Sequence, residues 1–260
     1  MEFEYITADP TGNITVLIST PYTAENRKDM ISAAFELVPD CEQAGFIMSE
    51  SDDSVSIEMM GYEFCGNATL SASSLRAYRN GAAAGEECVI RTNSSGIDET
   101  LDVRVRRLED RRCSDGKLHP VFEGTVRMPE PELSTYKGWP LVQTDGISHL
   151  LIPDEDMSDD EAAELIKAVA DELKVAALGI MLYSVSADAA VSMRPLVYVP
   201  ASETLVWEHG CATGSTALGY WLDSLDEGNN VIEIHQPGGT MYIRITDGRP
   251  FMTGQVTLMI

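Results

Sequence analysis

Cys65-Gly66-Asn67-Ala68-Thr69-Leu70-Ser71-Ala72 and Cys211-Ala212-Thr213-Gly214-Ser215-Thr216-Ala217-Leu218-Gly219 are two renderings of one phrase, one in each half of a 260-residue chain. Each opens on a cysteine and runs into Gly, Ala, Ser and Thr, with leucine the sole large apolar residue type of the opening turns. A helix on a protein surface carries a charged face, and neither stretch holds a single charge. Small residues on every side fit a helix enclosed by sheet, where backbones approach closely. Two such helices, each led by a thiol, predict a fold built twice.

Reading outward from them supports that. Ahead of Cys65 come a strand over 3–7, a turn at Asp9-Pro10-Thr11-Gly12-Asn13, a strand over 14–19, and an amphipathic helix over 23–38 with Met30, Ile31, Ala34, Phe35 and Val38 on one face. Short β-like runs follow at 44–48 and 55–60. After the first cysteine helix, β-branched runs recur at 87–92, 100–107 and 121–128. The prolines and glycine of 129–140 interrupt both periodicities and mark a linker. The second half repeats the element types. A helix over 158–173 opens with Ser158 and Glu161, the pattern of a capping box. Strands are predicted at 179–184, 196–200 and 204–207, the cysteine helix at 212–224, and closing strands at 231–235, 241–245 and 255–260. The chain reads as an α+β protein of two similar halves, 1–132 carrying Cys65 and 133–260 carrying Cys211, with the last strand free to return to the first half.

The composition narrows function by exclusion. Eighteen Lys and Arg against 42 Asp and Glu give a net charge of −24, whose field repels nucleic acid and anionic membranes. No apolar run approaches the ~20 residues that span a bilayer. Met1-Glu2-Phe3-Glu4-Tyr5 has neither the basic nor the apolar part of a secretory signal. Five scattered cysteines without a CxxC suit a reducing compartment, so the expected location is the cytoplasm. Four histidines show no metal spacing, and none of the five lysines lies in or beside a cysteine motif, where a pyridoxal Schiff base would need one. The expected partner is a small amino-acid substrate, with no cofactor and no metal; a homodimer is compatible with the sequence.

A symmetric pair of thiols suits removal of a proton from one face of a carbon and its return to the other. The unpaired N–H groups and positive dipole end of a helix start stabilise a thiolate. They also bind a carboxylate whose charge grows in the transition state. Cys65 and Cys211 are thus the candidate acid/base pair, with backbone N–H groups of Gly66, Asn67, Ala212 and Thr213 as candidate carboxylate donors. Glu208, three residues before Cys211, is a candidate partner for a substrate ammonium. His209 is a candidate contact, as is Asn13 in its turn. Glu63 reads as a supporting residue, His149 as an ordinary strand histidine, and Cys41, Cys88 and Cys113 as packing or surface residues.

The segments Gly61-Tyr62-Glu63-Phe64-Cys65-Gly66-Asn67-Ala68 and Glu208-His209-Gly210-Cys211-Ala212-Thr213-Gly214-Ser215, with Gly12-Asn13 near the start, resemble the signature regions of the diaminopimelate epimerase superfamily. The resemblance implies two halves, each a central helix wrapped by mostly antiparallel sheet, with the active site in the cleft between them. It also implies cofactor-independent racemisation or epimerisation of a free amino acid by two cysteines. The Glu-Arg pair that diaminopimelate epimerases carry ahead of the second cysteine is missing from Ser202-Glu203-Thr204-Leu205-Val206-Trp207-Glu208-His209. A second substrate carboxylate buried without a cation is costly, so a monocarboxylic amino acid is expected instead. Trp207-Glu208-His209-Gly210-Cys211 resembles the branch that includes histidine racemases. Alternatives are an isomerase of the phenazine-biosynthesis type, a proline-racemase-like enzyme, whose first motif typically has His where this chain has Asn67, and a non-catalytic amino-acid-binding protein.

Overall fold

The computed structural model describes residues 2–144, 146–200, 203–225 and 231–260. In chain order the elements of the first part are β1 (Tyr5–Pro10), β2 (Thr15–Ile18), α1 (Arg27–Leu37), β3 (Gln43–Ser51), β4 (Ser54–Met59), α2 (Gly66–Arg79), β5 (Glu87–Ser94), β6 (Leu101–Arg107), β7 (Arg111–Arg112), β8 (Leu118–His119) and β9 (Val121–Arg127). Then come β10 (Glu132–Tyr136), β11 (Trp139–Thr144), β12 (Ile147–Pro153), α3 (Asp159–Leu173), β13 (Leu178–Val185), β14 (Val191–Val199), β15 (Thr204–Trp207), α4 (Ala212–Leu225), β16 (Ile232–Gln236), β17 (Gly239–Thr246) and β18 (Arg249–Met259). The protein is mostly sheet, with four α-helices among the described residues. The chain divides into two compact units: one runs to Arg127 and takes back Thr253–Ile260, and the other is Met128–Met252.

In the first unit eight strands follow one another as β1-β2-β3-β4-β5-β6-β9-β18, and β18 pairs back onto β1, Thr7 opposite Met259 and Pro10 opposite Val256, closing a barrel. Two neighbouring pairs are parallel, β2 with β3 and β4 with β5. A parallel pair needs a crossover connection, and α1 and α2 supply them. Helix α1 begins at Arg27, four residues later than the expected start at 23, because Thr23 and Asn26 tie the preceding residues into a turn. It covers β3 through Met30, Ala34 and their neighbours. Helix α2 touches β1 to β6 and β9, and eleven of its residues, from Gly66 to Ala77, are buried. Its hydroxyls tolerate burial by bonding back one turn: Thr69 to the Cys65 carbonyl, Ser71 to Asn67 and Ser73 to Thr69.

In the second unit the strand order is β17-β16-β14-β13-β12-β11-β10, with β15 beside β14. The parallel pairs are β12 with β13, bridged by α3, and β14 with β16, whose connection contains α4. The Ser158–Glu161 capping box opens α3, whose Ile166, Val169 and Ala170 pack into a cluster with Leu150, Ile152, Ile180 and Leu196. Fully burying side chains of this size stabilises by about 1.5–3 kcal/mol each. The segment expected as a linker is instead a hairpin of β10 and β11. Pro129 and Pro131 stand ahead of the first strand, and Pro140 sits in the second opposite Thr135. The glycine belongs to the turn, where Lys137 and Gly138 both have positive φ (50° and 94°), as a two-residue hairpin loop requires.

Candidate active site

Cys65 is the N-cap of α2: its backbone is extended and its sulfur accepts the Ala68 N–H at 3.4 Å. The loop that delivers it is clamped by Arg27 of α1. That guanidinium donates to the Met59 and Met60 carbonyls at 2.8 and 3.0 Å, pairs with Glu58 at 3.3 Å, and lies 4.2 Å from the Tyr62 ring centroid. Tyr62 needs that support, because its φ of 62° is a conformation side chains disfavour. Burial pushes the Glu63 carboxyl, next along, above its ordinary value, with Arg27 opposing.

Behind Cys65 runs a polar chain. The thiol donates to Gln43 Oε1 at 2.9 Å, Gln43 Nε2 to Thr15 Oγ1 at 2.7 Å, and the Thr15 hydroxyl to the Asn13 carbonyl at 3.0 Å. Asn13 is buried. Its Nδ2 donates to Glu42 at 2.8 Å, while its Oδ1 has no partner among the described residues. The structure therefore connects Asn13 to Cys65 through two residues, Gln43 and Thr15, that carry no motif. Gly66 and Asn67, the buried first residues of α2, have backbone N–H groups without an acceptor inside the helix, as every helix start does.

Cys211 stands immediately ahead of α4, which is buried from Ala212 and from Gly214 through Gly219. Its sulfur accepts the Gly214 N–H at 3.4 Å and lies 3.6 Å from Thr213 Oγ1. Its own N–H donates to Gln236 Oε1 at 2.7 Å, and Gln236 Nε2 donates to Ser215 Oγ at 2.8 Å. Burial pushes the thiol well above its ordinary range, and the neighbouring Glu208 carboxylate pushes it further; Thr213 and the Gly214 N–H act against both. Ala212 and Thr213 hold the corresponding first-turn positions. His209 is exposed, and its carbonyl accepts the Gly238 N–H at 2.7 Å.

His149, read from sequence as an ordinary strand residue, has no exposed surface. Its Nε2 lies 3.2 Å from Thr213 Oγ1 and its Nδ1 has no partner among the described residues. Burial lowers its pKa to about 3, so the ring is neutral at pH 7. No periodicity or motif singled out Gln43, Gln236 or Thr15. The available signal was position alone, Gln43 lying in the strand that enters beside the Asn13 turn. Among the described residues no cluster of three His, Cys, Asp or Glu could hold a metal ion, and no helix is long and apolar enough to cross a membrane.

The fold is shared with solved isomerases. A hydroxyproline epimerase from Agrobacterium vitis superposes with a TM-score of 0.58 at 12% identity, over 98% of this chain and 92% of that one. A methylitaconate-delta-isomerase gives 0.54, also at 12%, over 100% and 94%. In sequence, a histidine racemase of Fusobacterium nucleatum subsp. nucleatum (strain ATCC 23726) is 30% identical over 269 residues, 98% of this chain and 94% of that one. A histidine racemase of Staphylococcus aureus (strain Mu50) is 24% identical over 92% and 87%. The protein is an enzyme of the isomerase class, an amino-acid racemase or epimerase. Residues 2–253 match the family described as histidine racemase CntK N-terminal domain, and the chain belongs to it. The resemblance carried by the two cysteine motifs, to the racemase branch and away from diaminopimelate epimerases, is thereby borne out.

Proposed function

We propose that this chain interconverts the enantiomers of free histidine in the cytoplasm, without a cofactor, with Cys65 and Cys211 as its two acid/base groups. The two units serve as the two similar halves, each organised around its cysteine helix. One thiolate removes the α-proton while the other thiol delivers a proton to the opposite face, and the roles exchange with the handedness of the substrate. The first-turn N–H groups of Gly66, Asn67, Ala212 and Thr213 receive the α-carboxylate. Each such interaction is worth about 0.3–2 kcal/mol in a helix-terminus setting and more as charge develops away from water. Glu208 takes the ammonium, and Asn13 and His209 contact the substrate from the remaining sides. Histidine is favoured by the likeness to histidine racemases and by the missing clamp arginine.

The observation that carries the reading is the duplicated helix start. Both sulfurs accept the N–H three residues on, at the same 3.4 Å, so both are held where a helix terminus stabilises negative sulfur. The test is incubation in deuterium oxide with L- or D-histidine and, separately, with other amino acids including proline, following the α-proton signal and optical rotation. Exchange and racemisation of histidine, both abolished by Cys65→Ser and by Cys211→Ser, are expected. Unchanged racemisation in both variants would sink the assignment, and turnover of proline alone would replace the substrate.

A further inference from the structure

The polar chain behind Cys65 is arranged for a protonated sulfur. The thiol donates to Gln43 Oε1, the amide's Nε2 donates to Thr15, and the Thr15 hydroxyl donates to the Asn13 carbonyl. For a thiolate the same arrangement is the wrong way round, since an amide oxygen 2.9 Å from a charged sulfur has no hydrogen to give and repels it. Two-base inversion, on the reading proposed above, requires Cys65 to be thiol for one enantiomer and thiolate for the other. Both neighbours are reversible. The two ends of a glutamine amide are nearly the same size, one donating and one accepting, and a hydroxyl does either.

We propose that Gln43 is a positioning residue that turns its amide over as Cys65 ionises. Nε2 then donates to the thiolate, Oε1 accepts from the Thr15 hydroxyl, and that hydroxyl releases the Asn13 carbonyl. No proton travels along the chain. The S–H bond of Cys65 breaks as the new C–H bond forms on the substrate, and only hydrogen-bond directions reverse. Thr15 is wholly buried and Gln43 nearly so, so no solvent stands in if either partner is lost. The second unit shows the contrast. Gln236 Oε1 is pinned by the Cys211 N–H, a backbone donor that cannot accept, and its amide is fixed in one sense.

The experiment reads the sulfur directly, as the pH dependence of Cys65 alkylation by iodoacetamide, quantified on the Cys65 peptide by mass. Described titratable and charged groups beside this chain include Cys41, whose thiol donates to the Gln43 carbonyl, Glu42, which accepts from Asn13, and Glu58, Glu63 and Arg27 around the loop that carries Cys65. All are retained in each variant compared. In Thr15→Val the turned amide oxygen faces a methyl group, so the Cys65 midpoint is expected to rise by about one pH unit, a roughly tenfold loss of alkylation rate at a fixed pH below it. The acid limb of kcat/KM should move with it, and Thr15→Ser should restore both. In the wild type, the ¹⁵N-labelled Gln43 side-chain amide should change shift with the Cys65 midpoint, which keeps the test open if Thr15→Val does not fold. An unmoved midpoint in folded Thr15→Val, or a Gln43 resonance constant through the Cys65 titration, overturns the proposal. The alkylation and resonance readouts need no substrate, so they fail independently of the acid/base assignment, which Cys65→Ser tests by racemisation.

Discussion

Cys65 is partly exposed and its sulfur meets an amide, whereas Cys211 is buried and its sulfur meets a hydroxyl beside a carboxylate. The helix start is the same in both. Sulfur accepts the N–H of the third residue on, and small hydroxyl residues satisfy themselves one turn back. What differs is what surrounds that start. Burial and Glu208 hold the proton on Cys211, while the Gln43–Thr15 chain at Cys65 accommodates either state. The fold thus repeats a geometry and leaves the proton affinity to side chains that are not repeated. Under the proposed mechanism that asymmetry favours one of the two protonation arrangements, Cys65 as base with Cys211 as acid, over the reverse arrangement that the other enantiomer uses.

The comparison breaks hardest at Glu208. Glu208→Gln removes the charge beside Cys211 and should lower the ionisation midpoint of that thiol, read by ultraviolet thiolate absorbance in a Cys65→Ser background. The midpoint of Cys65, read by alkylation, should stay where it is. Racemisation should fall about 10²- to 10⁴-fold, the usual worth of a positioned acid/base or charge partner. A Cys211 midpoint that does not move would mean that burial alone separates the two sites.

His149 sharpens the comparison through stability, because within its unit it backs the Cys211 site. Its folded pKa is about 3, below the ordinary value near 6.5. The stabilisation from keeping it neutral is therefore complete above pH 6.5 and lost as pH falls towards 3. Each pH unit in that window costs about 1.4 kcal/mol, so by pH 4.5 the wild type should have lost roughly 2–3 kcal/mol to this ring. His149→Phe should lack that component, and urea unfolding at pH 7 and pH 4.5 measures the difference. Equal acid sensitivity in both proteins would show that the ring is solvated, and that the Cys211 site is less enclosed than it stands here.

The legible part of this molecule was what small residues enforce. Uncharged Gly, Ala, Ser and Thr runs permit burial on all sides, and the helices they form are those with the least exposed surface. The capping box at Ser158 and the outer helix faces followed from periodicity in the same way. The two glutamines that orient the cysteines were invisible, because a single polar residue at a strand end has no period and no motif. His149 is the strand residue expected, but its contact with the Thr213 hydroxyl was not legible, because the alternation of a strand says nothing about which inward residue meets a hydroxyl. The stretch 129–140 reads as a linker and instead supplies most of a hairpin, because Pro and Gly report a break in periodicity without saying whether the chain turns or drifts.

The smallest effect tests the packing behind the sulfurs, at the residue three positions after each cysteine. In α2 this residue is Ala68, fully buried, and in α4 it is Gly214. A Cβ built on Gly214 would overlap Met181 Sδ and lie 3.2 Å from Cys211 Sγ, and Met181 is itself fully buried. Helix propensity alone predicts that Gly214→Ala stabilises and Ala68→Gly destabilises, each by about 1 kcal/mol. Overpacking of a dense core costs about 1–3 kcal/mol, enough to cancel or reverse the first change and not the second. Both variants should therefore be less stable than, or at best equal to, the wild type in thermal unfolding. Gly214→Ala alone should also reduce activity, because the added methyl presses on the sulfur whose hydrogen-bond donor is the Gly214 N–H. A clear gain in stability for Gly214→Ala would mean that Met181 yields, and that the tightness behind Cys211 does not set its position.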